Sequence, residues 1–464
     1  MSSKGWLIMS INTNKNLKLK IGVLLCAILN TAAAQAGEWS TEVDLDYRYF
    51  RKPAATIPTT GSTPAQIAAS FYQFLLSQGL SPYNVVTIPQ AVLAVSASQA
   101  TAVSGQGNNE PSVVVQPSYF NEWAGKTNSF SFKPFFRWDN MDDKRTHADI
   151  REMVWVSKHG TADKPWELRI GIDKVFWGAA ESQHLVDVIN QTDDVENINR
   201  ESKLGQPMVR ATISRNWGTL DMFVLPWFRE RTYAGVDGRL RPLVSLATLP
   251  VAFQSSDAQS HVDYALRWSK SFSDVDVGIS QFVGTDRDPR VATANQYITT
   301  ANPAGLYLSY DQMSQTSVDM TAVRGSWIYK LEALHRDTNY DHYWAGVTGV
   351  EYAFNGVFHT PYDVSTFLEY NYDSRGQGQA VYQSDVFVGG LLNLNDDKST
   401  QIKLGVLVDT NDSTRSTRLQ FSRRLTDNWS ARLEGQWFNS VDSGNPLNAY
   451  REDSYLQGSL IRYF

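Results

Sequence analysis

The chain has 464 residues, a formal net charge of −6, 12% aromatic residues, one cysteine and a mean hydropathy of −0.34. Its only long apolar run free of charge is Ile21–Leu29, which is shorter than the about 20 residues that a membrane helix needs. The acidic balance argues against a nucleic-acid partner, whose recognition needs a basic surface. The length fits either about three soluble domains of about 150 residues each or one large closed β-barrel.

Residues 1–36 have the three parts of a secretory signal peptide. Basic residues (Lys15, Lys18 and Lys20) precede the apolar run, and Ala34-Gln35-Ala36 supplies the small residues of a cleavage site. The mature chain is therefore expected to begin at Gly37. Cys26 lies inside the signal, so the mature chain has no disulfide or thiolate chemistry. We expect an exported protein of the periplasm, the outer membrane or the cell exterior.

The mature sequence is dominated by stretches of alternating polarity. In Trp39–Tyr49 the odd positions are mostly apolar or aromatic, whereas the even positions are mostly charged. The same period of two recurs at 166–173, 262–269, 327–334, 402–409, 418–424 and 429–437. Period two places alternate side chains on opposite faces of a β-strand. The pattern fits a soluble β-sandwich or propeller, or a transmembrane barrel with an apolar outer face and a polar lumen.

Three features favour the barrel. The polar faces carry charges of both signs, and Trp and Tyr stand near strand ends, where interfacial girdles form. The C-terminal strand ends in Phe464, and this ending resembles the assembly signal of bacterial outer-membrane barrels, from which Arg462 is a departure. The resemblance implies contact with the barrel-assembly machinery, and the location implies outer-membrane lipid and lipopolysaccharide as partners.

Turn lengths predict an all-β antiparallel transmembrane barrel of about 18 strands, or 16 if marginal strands fail. Short periplasmic turns are expected at 124–127, 216–218, 272–274, 395–398 and 426–428 and near Gly325 and Gly356. Longer external connections are expected at about 175–206, 229–259, 284–315, 374–381 and 439–452. The barrel domain is 37–464.

The first external loop is an insert at 52–111, within which 53–109 contains no Asp, Glu, Lys or Arg. Thr63-Pro64 is a helix-start signal, and apolar residues then recur at helical spacing from Ile67 to Leu75. We expect a short amphipathic helix here. It either packs on the barrel mouth or contacts a ligand or membrane.

A more specific resemblance lies within 165–200. Trp177-Gly178 follows a predicted strand, and 186–190 reads Val-Asp-Val-Ile-Asn. This combination resembles poorly characterised proteobacterial outer-membrane barrels, although Gln191 stands where they commonly have proline. The resemblance implies the fold and the location, and almost nothing about a substrate.

The loop at 175–206 is predicted to fold against the inner wall and narrow the lumen. Leu185, Val186, Val188 and Ile189 would be unusual in a solvated loop, and Asp187 and Asn190 are available for hydrogen bonds. Trp177-Gly178 is expected to end a strand at the membrane interface, with Gly178 permitting a tight reversal. The alternative is a loop that only staples the structure.

Two groups of arginines could act on a solute. Arg229, Arg231, Arg239 and Arg241 would attract anions at a pore mouth, or else pair with acidic loops or lipopolysaccharide phosphate. Inward arginines (Arg137, Arg169, Arg210, Arg267, Arg418 and Arg432) are opposed by inward acids (Glu167, Asp173, Glu332, Glu369 and Glu434). These charges either set up a field across the lumen or form interior salt bridges.

Catalysis is not predicted. The seven histidines (His147, His159, His184, His261, His335, His342 and His359) lack metalloenzyme spacing, and only His335 and His342, near Asp337 and Asp341, offer a weak metal or acid–base lead. No metal or cofactor is predicted. The favoured function is an outer-membrane channel for small solutes. The alternatives are a surface-binding or structural barrel with a plugged lumen and an outer-membrane enzyme.

Overall fold

A computed structural model describes residues 37–53, 107–242, 245–299, 302, 305–376 and 378–464. Its strands are β1 Glu38–Phe50, β2 Asn109–Trp123, β3 Asn128–Asp139, β4 His147–Thr161, β5 Lys164–Asp173, β6 Gln206–Arg215, β7 Gly218–Leu225, β8 Val251–Phe253, β9 Asp263–Phe272, β10 Val275–Thr285, β11 Arg290–Thr293, β12 Leu306–Tyr310, β13 Gln312–Arg324, β14 Trp327–Thr338, β15 His342–Phe354, β16 Asp363–Asp373, β17 Ser384–Asn393, β18 Gln401–Asp409, β19 Arg415–Thr426, β20 Trp429–Ser440 and β21 Tyr455–Tyr463. Short 3-10 helices lie at Leu246–Thr248, Ala258–Ser260, Asn295–Tyr297, Val357–His359 and Pro446–Tyr450.

Eighteen of these strands form one closed antiparallel barrel. Each barrel strand pairs with the next one along the chain, and β1 pairs with β2 on one side and β21 on the other. Closure leaves no strand edge with unpaired backbone groups, as a lipid environment requires. The prediction of about 18 antiparallel strands is confirmed.

The two faces of the wall follow the period-two pattern. In β1, Leu45 and Tyr47 are about half exposed on the outside, whereas Asp46 and Arg48 are buried inside. Exposed aromatic residues form two belts. One lies near the short turns (Trp123, Trp166, Trp217, Phe272, Trp327, Phe354 and Phe464) and the other at the opposite end (Tyr49, Trp227, Tyr264, Tyr340, Trp344 and Tyr372). This outer surface is that of a transmembrane barrel and is consistent with an outer-membrane location.

The barrel closes where β21 pairs with β1. At this seam the backbone N–H and carbonyl of Phe464 both form hydrogen bonds with Thr41 near the start of β1. Arg462 points outward, with its guanidinium 5.0 Å from the centre of the Trp429 ring and 4.7 Å from that of Phe464. Cation–π contacts of this kind stabilise a charged group beside aromatic rings. The departure from an apolar residue at 462 is thereby accommodated in the aromatic belt.

The long connections opposite the short turns contain a small second sheet that the alternation pattern did not predict. β11 pairs with β12 antiparallel, and β12 pairs with β8 in parallel. These strands have three to five residues each, too short for a periodic signal to be distinguished from loop sequence.

The predicted signal peptide and the predicted helix of the 53–109 insert lie outside the described residues. Within the described ranges, no helix is long and apolar enough to cross a membrane.

Candidate functional site in the barrel lumen

The segment 174–205 between β5 and β6, called here the lumen loop, packs its apolar residues inside the barrel. It contributes Val175, Trp177, Val186, Val188 and Ile189 to a buried cluster with Met208, Phe223, Leu225, Ala265, Phe282 and Met313. The latter six lie on β6, β7, β9, β10 and β13. Each large apolar side chain buried in this way stabilises the arrangement by about 1.5–3 kcal/mol.

Trp177 does not end a strand at the membrane interface, so that expectation is wrong. β5 ends at Asp173, and the chain turns inward before it reaches Trp177, which is 4% exposed. Its ring packs edge-on against Phe223 at 5.6 Å, and the Arg267 guanidinium lies 5.2 Å from the ring centre. A tryptophan beside a strand end has the same sequence signature whether it faces lipid or a filled lumen.

Asp187 and Asn190 hold the base of the lumen loop together. Asn190 accepts a hydrogen bond from the Val175 N–H at 2.8 Å and donates to the carbonyls of Asp173 and Leu204 at 2.9 Å. Asp187 accepts from the Trp177 N–H at 3.3 Å and pairs with Lys203 at 3.2 Å. Both side chains therefore bond within the loop and its base.

The apex of the lumen loop is bound by a buried carboxylate on β14. Glu332 accepts the backbone N–H groups of Ala179 at 2.7 Å, Ala180 at 2.9 Å and Val186 at 3.3 Å. Gly178 has φ +148°, and a Cβ at this position would lie 3.1 Å from the Glu332 Oε1. Glycine therefore suits the point where the backbone approaches Glu332.

A second carboxylate, Glu369 on β16, continues this attachment. It accepts the N–H of Glu181 and of Ser182, each at 2.8 Å, and the Ser182 hydroxyl at 2.6 Å. The Glu181 carboxylate then pairs with Lys330 on β14 at 2.7 Å and Lys403 on β18 at 2.6 Å. In strand order, β16 to β18 lie across the barrel from β5, so the loop crosses the lumen.

The returning part of the loop binds the remaining wall. Arg151 on β4 pairs with Asp193 at 2.5 Å, and Arg137 on β3 pairs with Glu196 at 2.7 Å. Further along, Asn197 donates to Glu434 on β20 at 2.7 Å, and Glu201 pairs with Arg418 on β19 at 2.5 Å. Inward groups on both halves of the wall thus hold the lumen loop.

The four arginines of the 226–262 connection do not form one exposed cluster, and of the alternatives left open by the sequence, pairing with acidic residues describes their contacts. Arg229 pairs with Asp149, Arg231 with Asp288 and Arg239 with Asp453, at 2.6–2.8 Å. Arg241 is buried and donates to the carbonyls of Val236, Gly238 and Pro242. Burying an unpaired guanidinium is costly, which is why carboxylates and backbone carbonyls surround these arginines.

Most of the predicted inward arginines pair locally. Arg169 bonds Glu167 and Asp173, Arg210 bonds Asp221, Arg267 bonds both oxygens of Asp319, and Arg137 also reaches Asp46. Arg432 differs, since its side chain is 53% exposed and stands 3.9 Å from Glu42. Of the two arrangements left open by the sequence, interior salt bridges describe these contacts better than separated rows of charge.

A cavity of about 560 Å³ lies between the loop apex and the wall on the short-turn side. Its lining includes Gly178 and Ala179 of the loop, the Arg267–Asp319 pair, Asp276 and Thr219. The lining is mostly polar, so it is suited to water and small polar solutes.

The two histidines predicted as a weak metal or acid–base lead, His335 and His342, do not form an enclosed site. His342 lies 2.5 Å from Asp337, and His335 lies 3.9 Å from the same carboxylate. His342 is 73% exposed, so this group is a solvated rim contact.

The fold and its filled interior define a transmembrane β-barrel whose lumen is crossed by a folded loop. No protein-family model and no curated protein matches the sequence. Among solved structures, a mutant of the Rh. blastica porin has 10% identity and a TM-score of 0.38, covering 92% of this chain and 100% of that chain. OmpF of Salmonella typhi in complex with daunomycin has 7% identity and a TM-score of 0.39, covering 92% and 97%. At such identities no residue role transfers to this chain.

Proposed function

We propose that the protein is an outer-membrane channel for small polar solutes, with the lumen loop as its constriction. The observation that carries the proposal is the polar cavity between the loop apex and the wall of β6 to β13. It continues the inner surface of a closed barrel up to the constriction. Passage would be passive and would depend on the width and the charges beside the loop, chiefly Arg267, Asp319 and Glu181.

In this proposal the signal at 1–36 exports the chain, and the strand ending at Phe464 is presented to the barrel-assembly machinery. Outer-membrane lipid contacts the apolar outer surface between the two aromatic belts. Lipopolysaccharide contacts the external rim. No catalytic group is assigned, and no cofactor takes part.

The second candidate is a barrel whose lumen is plugged and whose function lies in its external surface. The attachment of the lumen loop to both halves of the wall favours it, since Glu332, Glu369, Glu434 and Arg137 all hold the loop. The two candidates differ in one measurable property, the conductance of the folded protein.

The test is single-channel recording of the mature chain in a planar bilayer, beside a variant that lacks residues 180–200. A length-preserving variant, Glu332→Gln with Glu369→Gln, loosens the apex without removing the loop. Asp337→Asn, on the outer rim, is the matched control for loss of an acidic charge. Stable conductance in the native chain that rises in the first two variants supports the constricted channel.

Conductance that begins only after deletion would instead support the plugged barrel. Absence of conductance in all forms, with the barrel verified by circular dichroism, would overturn the channel.

A further inference from the structure

We propose that His147, Asp193 and Glu196 bind a divalent transition-metal cation, represented by Zn²⁺, that fastens the lumen loop to β4. His147 is the first residue of β4, and the two acids lie on the loop. The His147 Nε2 stands 3.8 Å from the Asp193 Oδ2 and 3.7 Å from the Glu196 Oε1. One ligand atom from each residue lies within 4.8 Å of the others.

The imidazole is oriented as a metal ligand would be. Its Nδ1 lies 2.9 Å from the carbonyl oxygen of Arg145, which can only accept, so Nδ1 carries the proton. The lone pair of a neutral ring is then on Nε2. Within the described part of the chain, this buried Nε2 has no hydrogen-bond partner. Ligand histidines commonly hold their second nitrogen on a carbonyl in this way.

The spacing fits a cation once the two loop carboxylates move towards each other. With metal–ligand bonds of about 2.0–2.2 Å, two donors on a tetrahedral ion stand about 3.3–3.5 Å apart. The distances of 3.7 and 3.8 Å from His147 need to shorten by a few tenths of an ångström, and the two carboxylate oxygens, which lie within 4.8 Å of each other, need to draw together by up to about 1.5 Å. Histidine nitrogen with carboxylate oxygens is a donor set that Zn²⁺ accepts, and water would complete the coordination.

The two carboxylates are themselves held in place by outer hydrogen bonds. Thr232 donates to the Asp193 Oδ1 and Arg151 to its Oδ2, both at 2.5 Å. Arg137 donates to both oxygens of Glu196. A carboxylate oxygen has two lone pairs, so a bond from arginine leaves one for a metal. Such outer contacts orient ligands and are typical of metal sites.

The surrounding ion pairs leave room for positive charge. Six acids (Asp46, Glu110, Asp139, Asp149, Asp193 and Glu196) are connected with five arginines (Arg48, Arg137, Arg145, Arg151 and Arg229). The acids around the site outnumber these arginines by one, and the unpartnered His147 Nε2 is directed at two of the acids, Asp193 and Glu196.

The role of the cation rests on the proposed function, because a metal joining β4 to the loop would steady the constriction. Whether the cation binds does not depend on the proposed function. The test therefore measures binding by titration calorimetry on the full mature chain without an affinity tag, folded in detergent and freed of metal with a chelator. ZnCl₂ is the titrant.

We expect one Zn²⁺ per chain, bound at least tenfold more weakly by His147→Gln and by Glu196→Gln. His342→Gln, in the exposed pair with Asp337, is the matched control and should bind as the native chain does. Absence of saturable binding, equal binding by His147→Gln, or loss of binding in His342→Gln would each overturn the proposal.

A measurement on the unsubstituted chain covers the case in which the variants fold poorly. Crystals grown with Zn²⁺ should give an anomalous-scattering peak about 2.0–2.1 Å from the His147 Nε2. A peak elsewhere only, or a peak without binding in solution, counts against the site. Because neither readout needs conductance, a silent bilayer with a bound metal refutes the channel alone.

Discussion

The lumen loop is attached to the barrel in two chemically different ways, and the contrast shows how a loop can be both fixed and adjustable. Towards β6 to β13 it presents Trp177, Val188 and Ile189 to an apolar cluster. Towards β14 to β18 its backbone and Glu181 bind carboxylates and lysines. Salt screens ionic contacts that reach water, whereas it does not weaken apolar burial by screening. The apolar side thus anchors the loop, and the polar side sets the apex beside the cavity.

The largest effect is expected from breaking the anchor. Trp177→Ala should lower the free energy of unfolding by about 3–5 kcal/mol, because it leaves a cavity in a well-packed cluster. Urea unfolding followed by circular dichroism measures the loss. Phe358→Ala is the matched control, since Phe358 is 93% exposed in a turn and should change little. A loss below about 1 kcal/mol for Trp177→Ala would mean that the cluster does not hold the loop.

A smaller, local effect is expected at the apex. Glu332→Gln keeps one acceptor oxygen but removes the charge, and hydrogen bonds to charged groups contribute about 1.5–3 kcal/mol each. Amide hydrogen exchange at Ala179 and Ala180 should accelerate about 10–100-fold. Glu152→Gln, whose partner is Lys133, should leave these amides unchanged. Unchanged exchange in Glu332→Gln would show that other contacts hold the apex.

The wall was more predictable than the loop it surrounds. Alternation in Trp39–Tyr49 reports directly on the two faces of a strand, and each turn needs only local residues. Trp177 shows the limit, because its environment depends on where the chain goes after Asp173. That direction is set by packing against Phe223 and Met208. Both residues are far from Trp177 along the sequence and come close to it only when the barrel has formed.

The two carboxylates that bind the loop apex can be singled out by their neighbours on the adjacent strands, which the alternation pattern alone does not show. Alternation identifies Glu332 and Glu369 as inward acids, but the residues directly opposite Glu332 are Asp319 and Val347, and neither is basic. Glu369 faces Gly349 and Phe387. A buried carboxylate without a cross-strand base needs donors from elsewhere, and here backbone N–H groups supply them.

Removal of the Glu181 charge at the loop apex should act on selectivity more than on stability. Glu181→Gln leaves Lys330 and Lys403 without their shared partner on the loop, and a partly exposed pair contributes about 1 kcal/mol at most. The reversal potential in a salt gradient should move towards anion preference, and the shift should shrink as ionic strength rises. Asp337→Asn is the control. A shift of equal size in that variant would place the effect at the rim.

The smallest expected effect is that of mild acid on the attachment at Glu196. Burial opposes its ionisation, but Arg137 and Arg145 outweigh burial, so the pKa of Glu196 lies below its ordinary value. Its ionised form therefore contributes stability above the ordinary glutamate pKa of about 4.3, and this is lost only as pH falls through the lowered value. The difference in unfolding free energy between the native chain and Glu196→Gln should not decline from about pH 7 to 5 and should diminish below about 4. A decline between pH 7 and 5 would show that the arginines do not hold this carboxylate ionised, and that the loop's return segment loosens under weaker acid than its ion pairs imply.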